Sequence, residues 1–332
     1  MRLARHAALI VLVLVLLHGG VWLVVSGLVQ GQLAQARSEA TADWIDIRVG
    51  SVERAGYPLA AGVLWRDVEF GPRGLPFGTR VSTARIALTL VPSLRHAPAY
   101  RADLPDPVRI VLTNGATIVL AAPDARVEAA WGDPGVPTLT ATAVTVANPV
   151  EIADIARLRI TLRSAARTLD VRADGVEWRG GPTTLPPIAT LAADLALDGP
   201  SAPALAEGGP AMRGALARWR DGGGALRMVR AALGWGPADV EAQGRLSLDA
   251  QLRPAATGEL RVAGGDAGLR VLAASGVLAS HAAQAARALL ALLPATVKVA
   301  GRDAVRLPVA IASGRLDVAG YPLLKLAPLS PP

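Results

Sequence analysis

Cysteine is missing from this chain, which excludes disulfides, thiolate nucleophiles, iron–sulfur clusters and cysteine-ligated zinc. Aromatic residues are scarce, at 4% against 52% hydrophobic residues overall, so the interior must come from Leu, Val, Ile and Ala, a composition that favours thin sheets or grooves. Lys298 and Lys325 are the only lysines, and arginine carries nearly all the basic charge behind a net +7. Histidine is rare too: His96 and His281 are the two beyond residue 18, so no two-histidine metal motif with local spacing exists. Gly222-Gly223-Gly224 and Gly234-Trp235-Gly236 lack the Lys-Ser or Lys-Thr of a phosphate loop and do not fit a dinucleotide fingerprint, so they read as turns. No Gly-x-Ser-x-Gly elbow stands between a strand and a helix. Asn148 precedes Pro and Asn114 lacks a hydroxyl residue two places on, which removes glycosylation signals.

Formal charge is also missing from Ala7 to Val29. At 1.5 Å per residue that run spans roughly 34 Å, enough to cross a hydrocarbon core of about 30 Å. Leu9, Leu12, Leu16, Trp22, Leu23 and Val25 are its apolar body, and Arg2 and Arg5 precede it. The positive-inside bias keeps that short end cytoplasmic and places the bulk outside, in the periplasm or another extracytoplasmic space. A cleaved signal peptide is the rival reading, because Ala34-Gln35-Ala36 is an A-x-A-like site. Against cleavage, hydrophobicity continues through Val25, beyond the usual signal core, and the site lies well past its end. His18 within a lone span reads as neutral and interfacially compensated. The basic balance points to acidic membrane surfaces or anionic envelope polymers, or reflects GC-rich coding, and nucleic acid is not an expected partner there.

Beyond the expected anchor (residues 1–29) and a polar stalk (30–44), the period changes to two. In Leu158-Arg159-Ile160-Thr161-Leu162-Arg163 apolar and polar residues alternate. Leu246, Leu248, Ala250 and Leu252 alternate with Arg245, Ser247, Asp249 and Gln251, and Glu259-Leu260-Arg261-Val262 resumes the pattern after a turn. Asn114-Gly115 predicts a hairpin over Val108–Leu120, since both residues accept the positive φ of a type I′ turn. Further strands are predicted at Val63–Phe70, Arg80–Leu90, Arg126–Trp131, Thr138–Val146, Thr168–Trp178, Leu191–Leu197 and Arg315–Val318. Helices are predicted at Ala211–Trp219 and, as one or two helices packed on the sheet rather than a second span, at Leu269–Leu293. The expected fold is therefore mainly β (α+β): a transmembrane helix, then an extended antiparallel body in two stretches, 45–198 and 211–332, joined by a Pro/Gly-rich linker at 199–210.

Catalytic candidates are few. His281 neighbours Ser280, but adjacent helical residues diverge around the axis, which opposes a nucleophile and base. Asp103 with Asp106, and Asp43 with Asp46, resemble carboxylate pairs, yet both fall near turns or a helix end, where Asp bonds the backbone. Trp65, Trp131, Trp178, Trp219 and Trp235 suit core packing or a lipid or glycan groove. No catalytic residue, cofactor or metal ligand is assigned.

Gly56-Tyr57-Pro58-Leu59 recurs as Gly320-Tyr321-Pro322-Leu323. With Trp235-Gly236-Pro237, the Gly244–Asp249 strand, the Gly258-Glu259-Leu260 return and Gly314-Arg315-Leu316-Asp317-Val318, the chain resembles the bacterial domain-of-unknown-function 2125 family. That resemblance implies an inner-membrane anchor and a periplasmic β-rich body laid out like AsmA-like envelope proteins, whose β-grooves are implicated in lipid handling. By that analogy Leu246, Leu248, Leu252, Leu260 and Val262 would line a groove. The expected function is non-enzymatic handling of phospholipid or another anionic envelope lipid, or envelope assembly. A scaffold that docks an envelope protein is the alternative, and a hydrolase using Asp103, Asp106 and His96 a third.

Overall fold

The computed structural model describes Gly27, Gly31 and residues 45–325, except 58–60, 73–79, 92–97, 112–115, 131–132, 149–150, 180–185, 200–209 and 277. The predicted anchor and stalk therefore lie outside the described residues, apart from those two glycines. Among the described residues no helix is long and apolar enough to cross a membrane.

The chain forms β1 (Ile45–Ala55), β2 (Ala61–Pro72), β3 (Arg80–Val91), β4 (Ala99–Leu104), β5 (Val108–Val111), β6 (Thr117–Ala121), β7 (Ala125–Ala130), β8 (Asp133–Ala147) and β9 (Ile152–Arg163). There follow β10 (Thr168–Arg179), β11 (Ile188–Asp198), α1 (Pro210–Asp221), β12 (Ala225–Trp235), β13 (Ala238–Leu248) and β14 (Pro254–Ala263). The chain ends with α2 (Gly265–Ala274), α3 (Ser280–Leu292), β15 (Ala295–Val299), β16 (Arg302–Ala312), β17 (Arg315–Val318) and β18 (Tyr321–Lys325). All eighteen strands belong to one sheet. Every ladder is antiparallel, and nearly every strand pairs with its sequence neighbour, as short Gly- and Pro-rich turns dictate. Two ranks are split. β4 and β5 lie end to end beside β3, divided at Pro105-Asp106-Pro107, and β6 and β7 lie end to end beside β8, divided at Pro123. β11 pairs with β12 along their lengths, so the strands before and after residues 199–210 share the sheet.

A seam crosses the strands near their midpoints. Gly50, Asp67 and Ala84 drop out of register in β1 to β3, and Ala143, Ala156, Gly175 and Ala189 do so in β8 to β11. Asp67, Ala143 and Gly175 there have φ of 52°, 48° and 62°. The split ranks place their Pro-Asp breaks on the same line. Left-handed residues reverse the in-out alternation locally and bend the strand, as bulges do. Small residues are required because neighbouring seam positions touch: a Cβ on Gly175 would stand 3.0 Å from the Ala156 Cβ.

Sequence expectation and structure agree at the regular strands, at the β5–β6 ladder of the Val108–Leu120 hairpin, whose Asn114-Gly115 turn lies outside the described residues, and at α1, which ends on Gly222 to Gly224 with Gly223 at φ 79°. Leu269–Leu293 resolves into two short helices because Gly276, at φ 75°, stops the first. Leu252 is a correction. β13 ends at Leu248, and the Asp249 carboxylate accepts the N–H groups of Gln251 and Arg253, holding a turn in which Leu252 is buried at φ 58° rather than lining a groove from a strand. The repeated Gly-Tyr-Pro-Leu motif marks two strand ends: Gly56 (φ 91°) follows β1 and Gly320 (φ 82°) precedes β18. Pro322 lies opposite Asp317 in β18, while Pro58 is outside the described residues.

Replacing Gly175 by Val places a β-branched side chain in left-handed backbone, at about 1–2 kcal/mol, and adds the collision with Ala156. The thermal midpoint of Gly175→Val is expected to fall by roughly 2–5 °C. Gly301→Ala, also at positive φ but with open space around it, is expected to fall by less than half as much. Equal shifts would show that the seam does not require close approach.

Candidate functional site

Register divides the sheet into two unlike faces. Following one line across neighbouring strands, Leu158, Ala173, Leu191, Leu233, Val240, Val262 and Val305 stand side by side. A second line runs Leu139, Ile160, Val171, Ala193, Ala231, Ala242, Leu260 and Leu307. Beyond the seam Ile47, Phe70, Val81, Ile110 and Ile118 continue the apolar face. Leu246, Leu248, Leu260 and Val262 all fall on it, through the pairs Leu246 with Ala256, Leu248 with Pro254, Ala242 with Leu260 and Val240 with Val262. Most of these side chains are half-buried, although nothing in the ladder itself covers them.

Val68, Ile86, Ala141, Val144, Ala173 and Val176, close to the seam, are all buried, as are Val63 and Leu307 farther from it, whereas Leu162 and Trp178 near strand ends and Val52 two residues from the seam are exposed. Of the three helices, α2 lies against a strand, β13. It packs on the apolar face, since a Cβ on Gly268 would meet the Ala238 Cβ at 3.1 Å and one on Gly265 would meet Val262. Trp235 is fixed there by donating Nε1–H to the Pro186 carbonyl at 3.0 Å. Thr83, buried on this face opposite Val68, and Trp219 each hold a buried polar atom without a hydrogen-bond partner.

The other face is charged and largely self-neutralised. Arg101 lies directly opposite Glu128 and Arg157 opposite Asp174, with ion-pair distances of 2.8 and 3.2 Å. Arg172 bridges Asp170 and Asp194 at 2.8 Å each. Arg85 donates two hydrogen bonds to Asp106 across the break between β4 and β5, at 2.7 and 2.8 Å. Asp124 fills the corresponding gap in the next rank by accepting both the N–H and the hydroxyl of Thr142. Asp106 is therefore a seam clamp. Asp103 lies opposite Arg126 in the β4–β7 ladder, His281 is exposed on α3, and His96 and Asp43 are outside the described residues. A depression of about 170 Å³ between β12 and β14 is lined by Arg230, Glu241, Glu259 and Arg261, already paired as Arg230–Glu241 and Arg261–Glu259 at 2.7 and 2.6 Å. Among the described residues no three side chains are grouped to hold a metal ion.

Hydrogen bonds from Arg85 hold the Asp106 carboxyl below the usual range, and Thr142, Arg179, Arg172 and Arg227 do the same for Asp124, Asp154, Asp194 and Asp198. Asp170 moves the other way, raised by burial and then by the neighbouring Asp194. Groups with lowered values bind fewer protons folded than unfolded near pH 4, so their stabilisation is complete above about pH 4 and is lost as pH falls further. Asp170 opposes this, favouring the fold at low pH and losing that contribution as pH rises through its raised value. The lowered groups outnumber it, so the thermal midpoint is expected to drop on acidification below about pH 4. Asp106→Asn is expected to lower the midpoint at pH 7 and to shallow the acid drop. An unchanged acid profile in that variant would separate Asp106 from the seam.

Leu260 and Val262 were legible as a wet-and-dry strand, whereas the seam was not, because its signal is lost alternation at isolated small residues. No curated protein and no solved structure matches the chain significantly. The family model described as "Uncharacterized protein conserved in bacteria (DUF2125)" matches residues 22–327, and the chain belongs to that family.

Proposed function

We propose that the protein is a non-enzymatic lipid-handling component of the bacterial envelope, tethered to the inner membrane by residues 1–29 with its sheet in the periplasm. The sheet bends along the seam into an open trough, apolar inside and charged outside. The observation that carries this reading is the apolar face. Strands of 11–12 residues such as β2, β3, β9 and β10 are about 38 Å long, and the lateral run of ranks at about 4.8 Å covers roughly 65 Å. The face thus offers on the order of 2,000 Å², several times the largest apolar patch of an ordinary monomer. Such a face requires a cover, and hydrocarbon chains fit an unroofed trough better than a polar substrate does. Burial of Val68, Val144 and Val176 beside the seam supports wings folding towards each other. Each wing is about 18 Å deep, comparable to the roughly 15 Å of one bilayer leaflet.

The charged face supports the non-enzymatic reading. Asp106, Asp124, Asp154, Asp170, Asp174 and Asp194 are engaged by arginine or threonine, and the carboxylate pair Asp103 and Asp106 is divided between Arg126's strand and the Arg85 clamp.

Mass spectrometry of the purified full chain under native conditions tests the reading. Co-purified phospholipid or lipopolysaccharide is expected, and Leu191→Glu with Leu233→Glu, two adjacent charges on the trough wall, is expected to reduce retained lipid more than about tenfold with unchanged circular dichroism. A chain that never retains lipid would replace this reading with that of a protein-docking scaffold.

A further inference from the structure

The two long rims of the sheet differ in charge. One rim, between β9 and β14, is made, among the described residues, by the β9–β10 turn, the end of β11, α1 with the start of β12, and the β13–β14 turn. It carries Arg163, Arg167, Arg218, Arg227, Arg245 and Arg253, all exposed. Asp198 engages Arg227 at 3.0 Å and Arg245 at 3.9 Å, and Asp249 is occupied by turn N–H groups. Arg220 and Asp221 pair with each other. Arg163, Arg218 and Arg253 make no ion pair with a described residue.

At the opposite ends of the same stretch the cations are already matched. Arg302 pairs with Asp239 at 2.9 Å, Arg179 pairs with Asp154, and Arg270 and Arg287 both bind Asp266 at 2.5 Å. The basic rim exposes hydrophobic side chains as well, while at the other rim the exposed Trp178 and Leu292 stand among cations that are already paired. On the apolar face of the basic rim Leu162 is 42% exposed, Leu246 38%, Met228 37% and Leu226 36%. Arg163, Arg227 and Arg245 alternate with these residues along the same strands and so project from the opposite face.

We propose that this rim is the edge by which the protein docks on an anionic bilayer surface. The inference rests on the trough reading in one respect: the rim is then the mouth through which hydrocarbon passes. The occupant follows from charge complementarity. A surface that joins a shallow apolar ridge to unpaired cations matches the interface of a membrane rich in acidic headgroups, where each nearby arginine is worth about 1 kcal/mol and leucines enter the acyl boundary. A neutral membrane gains only the leucine contacts, and an acidic protein leaves them exposed. Arginine suits the role because its guanidinium is weakly hydrated and forks onto phosphate oxygens.

The native absence of cysteine makes the test clean. The full chain, held in neutral phosphatidylcholine nanodiscs, carries an environment-sensitive dye on Met228→Cys. It is mixed with vesicles containing brominated phosphatidylcholine as quencher, with or without phosphatidylglycerol. Quenching is expected with phosphatidylglycerol, is expected to vanish near 1 M salt, where the Debye length is about 3 Å, and is not expected for a dye on Lys298→Cys at the other rim. Arg163→Glu, Arg218→Glu and Arg253→Glu together are expected to weaken docking on the order of 100-fold. Should that variant misfold, the corresponding Gln triple variant replaces it, with the same direction expected. Equal quenching by neutral and anionic vesicles, equal quenching at both rims, or a folded triple variant that docks like the parent would each overturn the proposal. Retained lipid, read in the same preparations, keeps the two ideas separable: lipid without docking refutes the rim, and docking without lipid refutes the trough.

Discussion

Each strand of this protein meets little except its ladder neighbours, and that constraint governs the rest. A single-layer sheet satisfies its backbone completely through the ladder, but it leaves two faces to be settled by side chains alone. Here one face is settled by charge. Arginine and carboxylate side chains on adjacent strands pair directly or diagonally, as with Arg101 and Glu128 or Arg157 and Asp174. Exposed pairs of this kind contribute little singly, roughly 0.2–1 kcal/mol. Their greater effect is on register, because a slip of one residue would turn every charge into the apolar face.

The apolar face cannot be settled in the same way, and the seam is the fold's response to that. Bending along a line of small or left-handed residues brings Val68, Ile86, Val144 and Val176 into cover without a second layer. The bend has its own cost in broken pairing, which local bonds offset: Arg85 bridges to Asp106 at one split rank, and Thr142 satisfies Asp124 at the next. Proline occurs at both breaks, where a missing N–H removes no ladder bond. Pro308 obeys the same logic within β16. Along one edge it falls between the stretch paired with β15 and the stretch paired with β17, so that edge forfeits no ladder bond.

These features explain which parts of the fold were readable beforehand. β9, β10 and β14 alternate strictly over enough residues to be recognised, and α1 carries its own stop in three glycines. β12 was not readable, because the register shift between Met228 and Ala231 changes the parity of Leu226 and Met228 relative to Leu233. β16 was hidden by Pro308, which ordinarily argues against a central strand. Leu252 continued an alternating pattern in sequence, but the Asp249 carboxylate diverted the backbone into a turn. Of the candidate lining, the members of regular ladders could be placed from period alone. Their shared face depended on which strand pairs with which, and composition carries no trace of that.

Charge makes the final distinction between the rims. On the sheet's outer face an arginine is surrounded by carboxylates on neighbouring strands, so its charge is spent within the fold. At a turn the ladder ends, and the number of available partners halves. A turn that keeps its arginines without matching acids therefore holds cations that the fold itself does not use. The turns between β9 and β14 do this at one end of their strands and not at the other, while the same end exposes Leu162, Met228 and Leu246. Folding stability alone would give no reason for unpaired cations to gather on one edge beside uncovered hydrophobic side chains.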